Sequence, residues 1–433
     1  MMHYRGMKGP VWPALALLAA MMLSVGAYSP NASAGQAADI TPNAFEGSDV
    51  ERINQAIEYA ADAGKRVVIP RRNETPDGAK DIWMLDSAIL VRSGTTLELN
   101  NCHIKLSDRS RDNMIRSANC GLDVTEIEPM RGIHIHGVGD ALLEGAGRPR
   151  ATGDSGKTLG EHTYGTDAGV EGESQTGDWR NVGILMAHVE NFRIENLRMK
   201  DTHAWAISLE RCSAGYVGHI EFDSREGKEI DGEFETILNQ DGLNLRLGCH
   251  DITIEHLSGR TGDDLLALTN LARGEGGAAP GSLESTQVSG GTYREGDDLR
   301  NIYIRNIRGR SMGRHGVVRL LNTRQGRLYN VVLDGVIDTA PPGEPASATV
   351  RIGSSRYGGH VPKGYTRRLF ISNVSGASRD TIVVDGTLTD SIITNVIHRG
   401  ETGEPVNFSA GQEYIRNVKT SNLLNHSGVD EEL

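Results

Sequence analysis

The chain has 433 residues, with 45 Lys and Arg against 57 Asp and Glu and a formal net charge of −12. This balance excludes nonspecific nucleic-acid binding through bulk positive charge. Fifty-three Gly beside only 6 Phe and 4 Trp suit many short strands joined by turns.

In chain order, Lys8, the apolar stretch from Val11 to Val25 and the small-residue string Ala32-Ser33-Ala34 predict a signal peptide over 1–34, with a mature start near Gly35. The expectation is a secreted or periplasmic protein. The apolar stretch is too short and wrongly flanked for a membrane span, and nothing downstream is long enough for one. The remainder reads as a single domain, 35–433, because no Pro/Ser-rich linker divides it. Ser48 can cap a helix whose Ile53, Ile57 and Ala60 have helical spacing and whose Gly64 suits a C-terminal stop. VVIP from Val67 reads as the first strand.

Beyond it a pattern recurs: polar, apolar, any residue, β-branched or Leu, any residue, Asn or a substitute, apolar. Clear copies are NFRIENL from Asn191, DITIEHL from Asp251, NIYIRNI from Asn301 and NVVLDGV from Asn330. Weaker ones start at Gly132, Ala214, Arg368, Asp390 and Gln412. The smallest step is 22 residues, and longer steps are that unit plus a loop. Alternation over this length says strand, and self-similarity at this period says solenoid. The Leu-rich signature and the helix of each leucine-rich repeat are missing. The fold expected is all-β, a right-handed parallel β-helix whose open end is covered by the helix at about 48–64.

Four cysteines in an exported chain are disulfide candidates. Cys212 and Cys249 each precede a repeat start by two residues, so they share a register. Stacked strands lie about 4.8 Å apart, inside the Cα window of roughly 4.4–6.8 Å for a bridge. A bridge and a ladder of two free thiols both fit, and Cys102 and Cys120 are less constrained. From Arg300 to Arg368 there are thirteen Lys or Arg against three acids; a basic face for an anionic ligand and outward arginines on exposed strands are the two readings.

NQDGLNL, GDDLLAL and GRHGVVRL fall at second strands of successive coils, and VRIG follows. Asp241, Asp263 with Asp264, and His315 would then form a column at one corner, with Arg351 next. Any one such string alone is ordinarily a turn before a strand. Trp205 sits at the matching corner of the preceding coil, where it can stack on a sugar ring or pack in the core. His162, in the insertion from Arg148 to Trp179, could reach over the cleft.

These residues carry a resemblance. Asn239-Gln240-Asp241 resembles the Asn-Thr-Asp of polygalacturonases, glycoside hydrolase family 28. Gly262-Asp263-Asp264 matches their Gly-Asp-Asp, Gly313-Arg314-His315-Gly316 resembles their Gly-His-Gly, and Arg351-Ile352 begins their Arg-Ile-Lys, all in the family's order. The resemblance implies a glycoside hydrolase that works by inversion, without cofactor or bound metal, on a polysaccharide or oligosaccharide; beside it stand the expectations of no nucleic-acid partner, from the charge, no membrane span, and a monomer, as for many solenoids of this kind. It implies Asp263 as general acid, Asp241 with Asp264 as the acids that hold and deprotonate water, and His315 as the residue that tunes the acid. Arg351 would bind a substrate carboxylate, bidentately where geometry allows, and Asn239 and Arg314 would add contacts. Gly353 stands where the family has Lys, which points away from plain polygalacturonate: either Arg356, Lys363 or the surrounding basic region compensates and the substrate is a different uronate or anionic glycan, or the substrate is a neutral or deoxy-sugar linkage. Two other functions fit the same fold. A polysaccharide lyase would use an Arg or Lys base with Ca²⁺, and a glycan-binding β-helix would keep a groove but not depend on the acids.

Overall fold

The computed structural model describes residues 39–425 apart from 111, 122–123, 125–126, 149–179, 181, 271–292, 294, 323–325, 342–343 and 358–359. The expected leader and His162 lie outside the described residues.

The repeat has a backbone cause. Its first position is left-handed in successive copies, with φ of 56° at Asn191, 51° at Ala214, 55° at Asp251, 56° at Asn301 and 56° at Asn330. The sixth position is left-handed too, at Asn196, His219, His256 and Asn306. Among residues with a side chain, Asn and Asp tolerate that region best, so the pattern's polar punctuation marks two bends per strand. The bends also bond to each other across coils. Asn330 donates to Asn301 Oδ1 at 3.0 Å, and Asn301 donates to Asp251 Oδ1 at 2.7 Å.

Between the bends the strands pair in parallel. Val189–Lys200, Ser213–Asp223, His250–Thr261, Leu299–Ser311, Leu328–Asp338, Thr366–Gly376, Leu388–His398 and Ile415–Leu424 form one continuous ladder. A second parallel sheet of short strands runs beside it, including Ile207–Glu210, Leu243–Arg246, Leu266–Asn270, Gly316–Asn322, Ala348–Ile352 and Asp380–Val384. Each coil contributes one strand to each sheet. Ile194, Val217, Ile254, Ile304, Leu333 and Ile371 stand in register along the first sheet and are buried. Ile207, Leu243, Leu266, Val318, Val350 and Ile382 do the same along the second. Two buried rows facing each other make one elongated core, as a right-handed parallel β-helix requires.

One copy of the repeat lies elsewhere than expected. Register pairs Leu388 with Ile415, which sets Asn417 level with Asp390, so the last copy is NVKTSNL from Asn417 rather than the motif from Gln412. Its bends at Asn417 (φ 53°) and Asn422 (φ 51°) complete the series; Gln412 belongs to a short 3-10 turn, Gln412–Tyr414.

The helix Asp49–Ala63 forms as expected, with a reciprocal capping box between Ser48 and Glu51 and a left-handed stop at Gly64 (φ 62°). Its Ile53, Ala56, Ile57 and Ala60 are buried against the first coils, and Asp49 Oδ2 accepts from the Met84 N–H at 2.7 Å. Cys212 and Cys249 do lie level in neighbouring coils, but as buried free thiols, and Cys102 and Cys120 are free as well. Burial pushes the Cys212 thiol well above its ordinary value.

Asn301 separates the two contributions to the bends. Asn301→Val is expected to cost about 2 kcal/mol or more, since a β-branched residue resists the left-handed region. Asn301→Gly should cost clearly less, because only the ladder bonds are lost. Denaturant midpoints of the two variants check this, and equal losses would place the cost in the bonds alone.

Candidate functional site

Leu243, Leu266, Val318 and Val350 are paired across the second sheet. Counting back two residues in that register brings Asp241, Asp264 and Gly316 level. One residue earlier stand Gln240, Asp263 and His315. Backbone bonds enforce the alignment: the Gly242 N–H donates to Asp264 O and the Ala206 N–H to Asp241 O, both at 2.9 Å. The expected column of acids is therefore present, and Asp241, Asp263 and Asp264 each present a carboxylate oxygen within 4.8 Å of the other two.

Each acid has a different set of partners. Asp241 is buried and accepts from Asn244 Nδ2 at 2.9 Å. Asp264 is buried, accepts from the Gly316 N–H at 2.8 Å and is ion-paired with Arg319 Nε. An added Cβ at Gly316 would stand 3.0 Å from Asp264 Oδ1, a tight contact that would press on the acid. Asp263, with a side chain 19% exposed, faces His315 Nδ1 at 3.4 Å and accepts from the Asp264 N–H at 2.9 Å.

Three acids packed this closely cannot all ionise freely. Burial, then the charge of Asp264, pushes Asp263 up to about 6 against the opposing pull of His315 and Arg319. Burial first, then Asp263 and Asp264, holds Asp241 well above the usual carboxylate range. The cluster thus keeps a proton in the weakly acid range on a group that reaches solvent, which is the requirement for a general acid.

The other expected residues divide. Arg351 is level with Arg319 and lies 3.5 Å from Asp385; burial and the neighbouring Arg319 push its guanidinium below its ordinary value. Asn239 adopts φ 58°, setting the corner that carries Gln240 inward to donate to Thr202 O at 2.7 Å. Trp205 is level with Asp241 by register, yet it is half-buried against Val182, Leu185 and Ala187, and the Arg246 guanidinium lies over its ring, 4.6 Å from the centroid. Arg314 and Lys363 are exposed, and among the described residues no ion pair joins either to the acids. The Arg356 side chain lies outside the described residues. Among the described residues, four of the thirteen basic residues of the segment pair with acids in place: Arg305 with Glu255, Arg310 with Glu344, Arg319 with Asp264 and Arg351 near Asp385.

Three contributors were not expected from sequence: Arg319, Asn244 and Glu226. Arg319 sits inside the alternating GVVRL, where its inward reach depends on the register that brings it beside Asp264. Asn244 reads as an ordinary strand residue. Glu226 Oε1 lies 3.7 Å from His315 Nε2 and comes from a loop thirty-seven residues before Asp263; no local signal marks it.

The fold is similar to that of the polygalacturonase from Erwinia carotovora ssp. carotovora, at 14% identity and a TM-score of 0.52 over 89% of this chain and 94% of that one. It is likewise similar to the endo-xylogalacturonan hydrolase from Aspergillus tubingensis, at 13% identity and a TM-score of 0.51 over 90% and 93%. A tailspike protein of an E. coli bacteriophage, solved with a pentasaccharide, aligns at 12% identity and a TM-score of 0.51 over 88% of this chain and 65% of its own. No family model and no curated protein match the chain by sequence. At these identities the likeness establishes the right-handed parallel β-helix. No helix among the described residues is long and apolar enough to cross a membrane.

The raised acid carries a stability consequence. Asp263 binds its proton more tightly folded (about 6) than unfolded (about 3.9), so its burial costs little below about pH 4 and its full amount above about pH 6. Asp263→Asn should therefore stabilise the fold at pH 7, by about 2–3 kcal/mol on the size of that shift, and leave it unchanged at pH 4. Thermal melts at the two pH values check this; equal melting of variant and parent at pH 7 would remove the stored cost.

Proposed function

We propose that the chain is a secreted glycoside hydrolase of polygalacturonase-like kind, a member of glycoside hydrolase family 28 in its site, that cleaves a uronate-containing polysaccharide. The observation that carries this reading is a protonated-acid position, Asp263, with two further carboxylates, Asp241 and Asp264, within 4.8 Å. Asp263 protonates the leaving oxygen, and Asp241 with Asp264 hold the attacking water, whose proton goes to Asp264, the acid paired with Arg319. Export through the expected leader and action as a monomer belong to the same proposal.

The course is inverting. The nearest-oxygen separation is shorter than the roughly 6.5–9.5 Å usual for an inverting pair, so the argument rests on the third acid. A nucleophile needs a free carboxylate oxygen aimed at the anomeric carbon, whereas both oxygens of Asp264 are engaged, Oδ1 by the Gly316 N–H and Oδ2 by Arg319, and Oδ2 of Asp241 is engaged by Asn244. Two acids held side by side in that way suit a water shared between them.

Substrate choice turns on Gly353. It has φ 73°, and an added Cβ would meet Gly386 Cα at 2.6 Å, so this backbone cannot carry the family's Lys. Recognition of the sugar carboxylate then falls to Arg351, which fits a uronate glycan other than plain polygalacturonate. A lyase would fill the acids with Ca²⁺; here Arg319 already brings a positive charge to Asp264, which favours hydrolysis.

Asp263→Asn should lower kcat by about a thousandfold or more with little change in KM, as expected for loss of a general acid acting with the rest of the site intact. In the parent, kcat/KM should fall as pH rises through about 6, the value to which burial lifts Asp263. The first-formed product, followed by proton NMR, should carry the inverted anomeric configuration. A retained anomer would make Asp241 or Asp264 a nucleophile, and full activity in the variant would remove Asp263 from the chemistry.

A further inference from the structure

We propose that Glu226 is the positioning residue of the general acid, holding the His315 ring so that Nδ1 faces Asp263; this rests on the hydrolase reading of the site. The imidazole stands between two carboxylates, with Nδ1 3.4 Å from Asp263 Oδ1 and Nε2 3.7 Å from Glu226 Oε1. A ring with an acceptor at each nitrogen has one preferred orientation, and the contact at one nitrogen sets what the other presents. The His315 backbone is fixed independently: its N–H donates to Ser311 Oγ at 3.1 Å, and its carbonyl accepts from the Ser347 N–H at 3.0 Å. What remains to be held is the ring, and Glu226 is the group at its outer nitrogen.

The neighbouring coils make room for this glutamate. An added Cβ at Gly262 would lie 2.6 Å from the Glu226 backbone, and one at Gly313 would lie 2.6 Å from the Glu226 carboxyl carbon. Both glycines belong to the motifs that carry Asp263 and His315, so those motifs leave space for Glu226 as well as shaping corners. Glu226 itself sits at φ 63°, a conformation a glutamate adopts at a cost. The hairpin that follows it, Gly227–Ile230 with Glu233–Thr236, is anchored by Lys228, which donates to Ala146 O at 2.9 Å and lies 3.5 Å from Asp201. The glutamate is thus held from both sides.

The charged groups around the ring assign it a function. Asp263 and Glu226 face His315 directly, and Asp264, Asp241 and Arg319 stand behind Asp263. Side-chain exposure is 38% for His315 and 30% for Glu226 against 19% for Asp263. After each turnover Asp263 has given its proton to the leaving group and must regain one from water. His315 and Glu226 are the solvent-facing pair through which that proton returns: the neutral ring with its proton on Nδ1 takes a proton from solvent hydronium at Nε2, Nδ1 then passes its own proton to Asp263 Oδ1, and the ring, left with its proton on Nε2 toward Glu226, exchanges back to the Nδ1–H tautomer through solvent before the next turnover.

The test is Glu226→Gln, which keeps size and an acceptor oxygen but removes the charge, with Glu226→Asp as the conservative rescue. With a glycan the parent cleaves, Glu226→Gln should lower kcat about tenfold at nearly constant KM and move the alkaline limb of the kcat profile to lower pH by about half a unit, since a lost negative charge loosens the proton of its neighbours. Glu226→Asp should recover most of both. In parallel, ¹⁵N spectra of the histidine side chains at fixed pH should show the His315 ring-nitrogen signals displaced in Glu226→Gln and restored in Glu226→Asp. Unchanged ring signals would overturn the proposal, and so would displaced signals with kcat and the pH limb unmoved, since the contact would then be structural only. Inactivity of the parent on every glycan would end the hydrolase reading instead, while the ring spectra would still decide whether Glu226 orients His315.

Discussion

Everything in this molecule depends on the register of parallel coils. Backbone bonds between stacked strands fix which residue of one coil lies over which residue of the next, and the left-handed bends keep that register from slipping. A slip of one residue would turn every buried Ile and Leu outward, so the core rows enforce the alignment that the bends mark. The site inherits its geometry from this constraint. Asp241, Asp264 and Gly316 meet because Leu243, Leu266 and Val318 pair two residues later, and no contact specific to the site is needed to bring them together.

Once register has gathered the acids, electrostatics differentiates them. All three are drawn from water, but each receives a different partner. Arg319 and the Gly316 N–H settle on Asp264, Asn244 on Asp241, and His315 on Asp263. The acid with the most solvent and an imidazole beside it is the one suited to exchange a proton. Concentrating carboxylates in this way opposes folding stability at neutral pH, and the long core rows offset it. Activity and stability pull against each other at Asp263 in particular.

The solenoid was legible because its cause is local: two bends per strand favour Asn, Asp or Gly at fixed spacing, and that preference repeats. The same logic exposes the one misplaced copy, since Gln412 matches the apolar pattern while Asn417 carries the bend. The helix cap was legible from Ser48, the spacing of Ile53, Ile57 and Ala60, and Gly64 for similarly local reasons. In the site, the acids and His315 lie at strand corners and could be placed by counting along coils. Glu226 and Arg319 could not. One comes from a loop outside the repeat, and the other is one Arg among many in a basic segment, distinguished only by what stands level with it. Trp205 was placed at the right corner, but whether its ring was open to a sugar depended on Arg246, four residues into the next coil's strand. The Gly353 departure was visible as a missing Lys, whereas its reason, the close approach of Gly386, is three-dimensional.

The most direct test of the account is digestion of a panel of pectic, other acidic and neutral polysaccharides, reading new reducing ends and unsaturated-sugar absorbance together. New reducing ends on a uronate glycan without an unsaturated chromophore are the predicted result, and the substrate so found would name the glycan class. A chromophore appearing with the cleavage would contradict the account, because the bond would then be breaking by elimination and Asp263 would not be its acid.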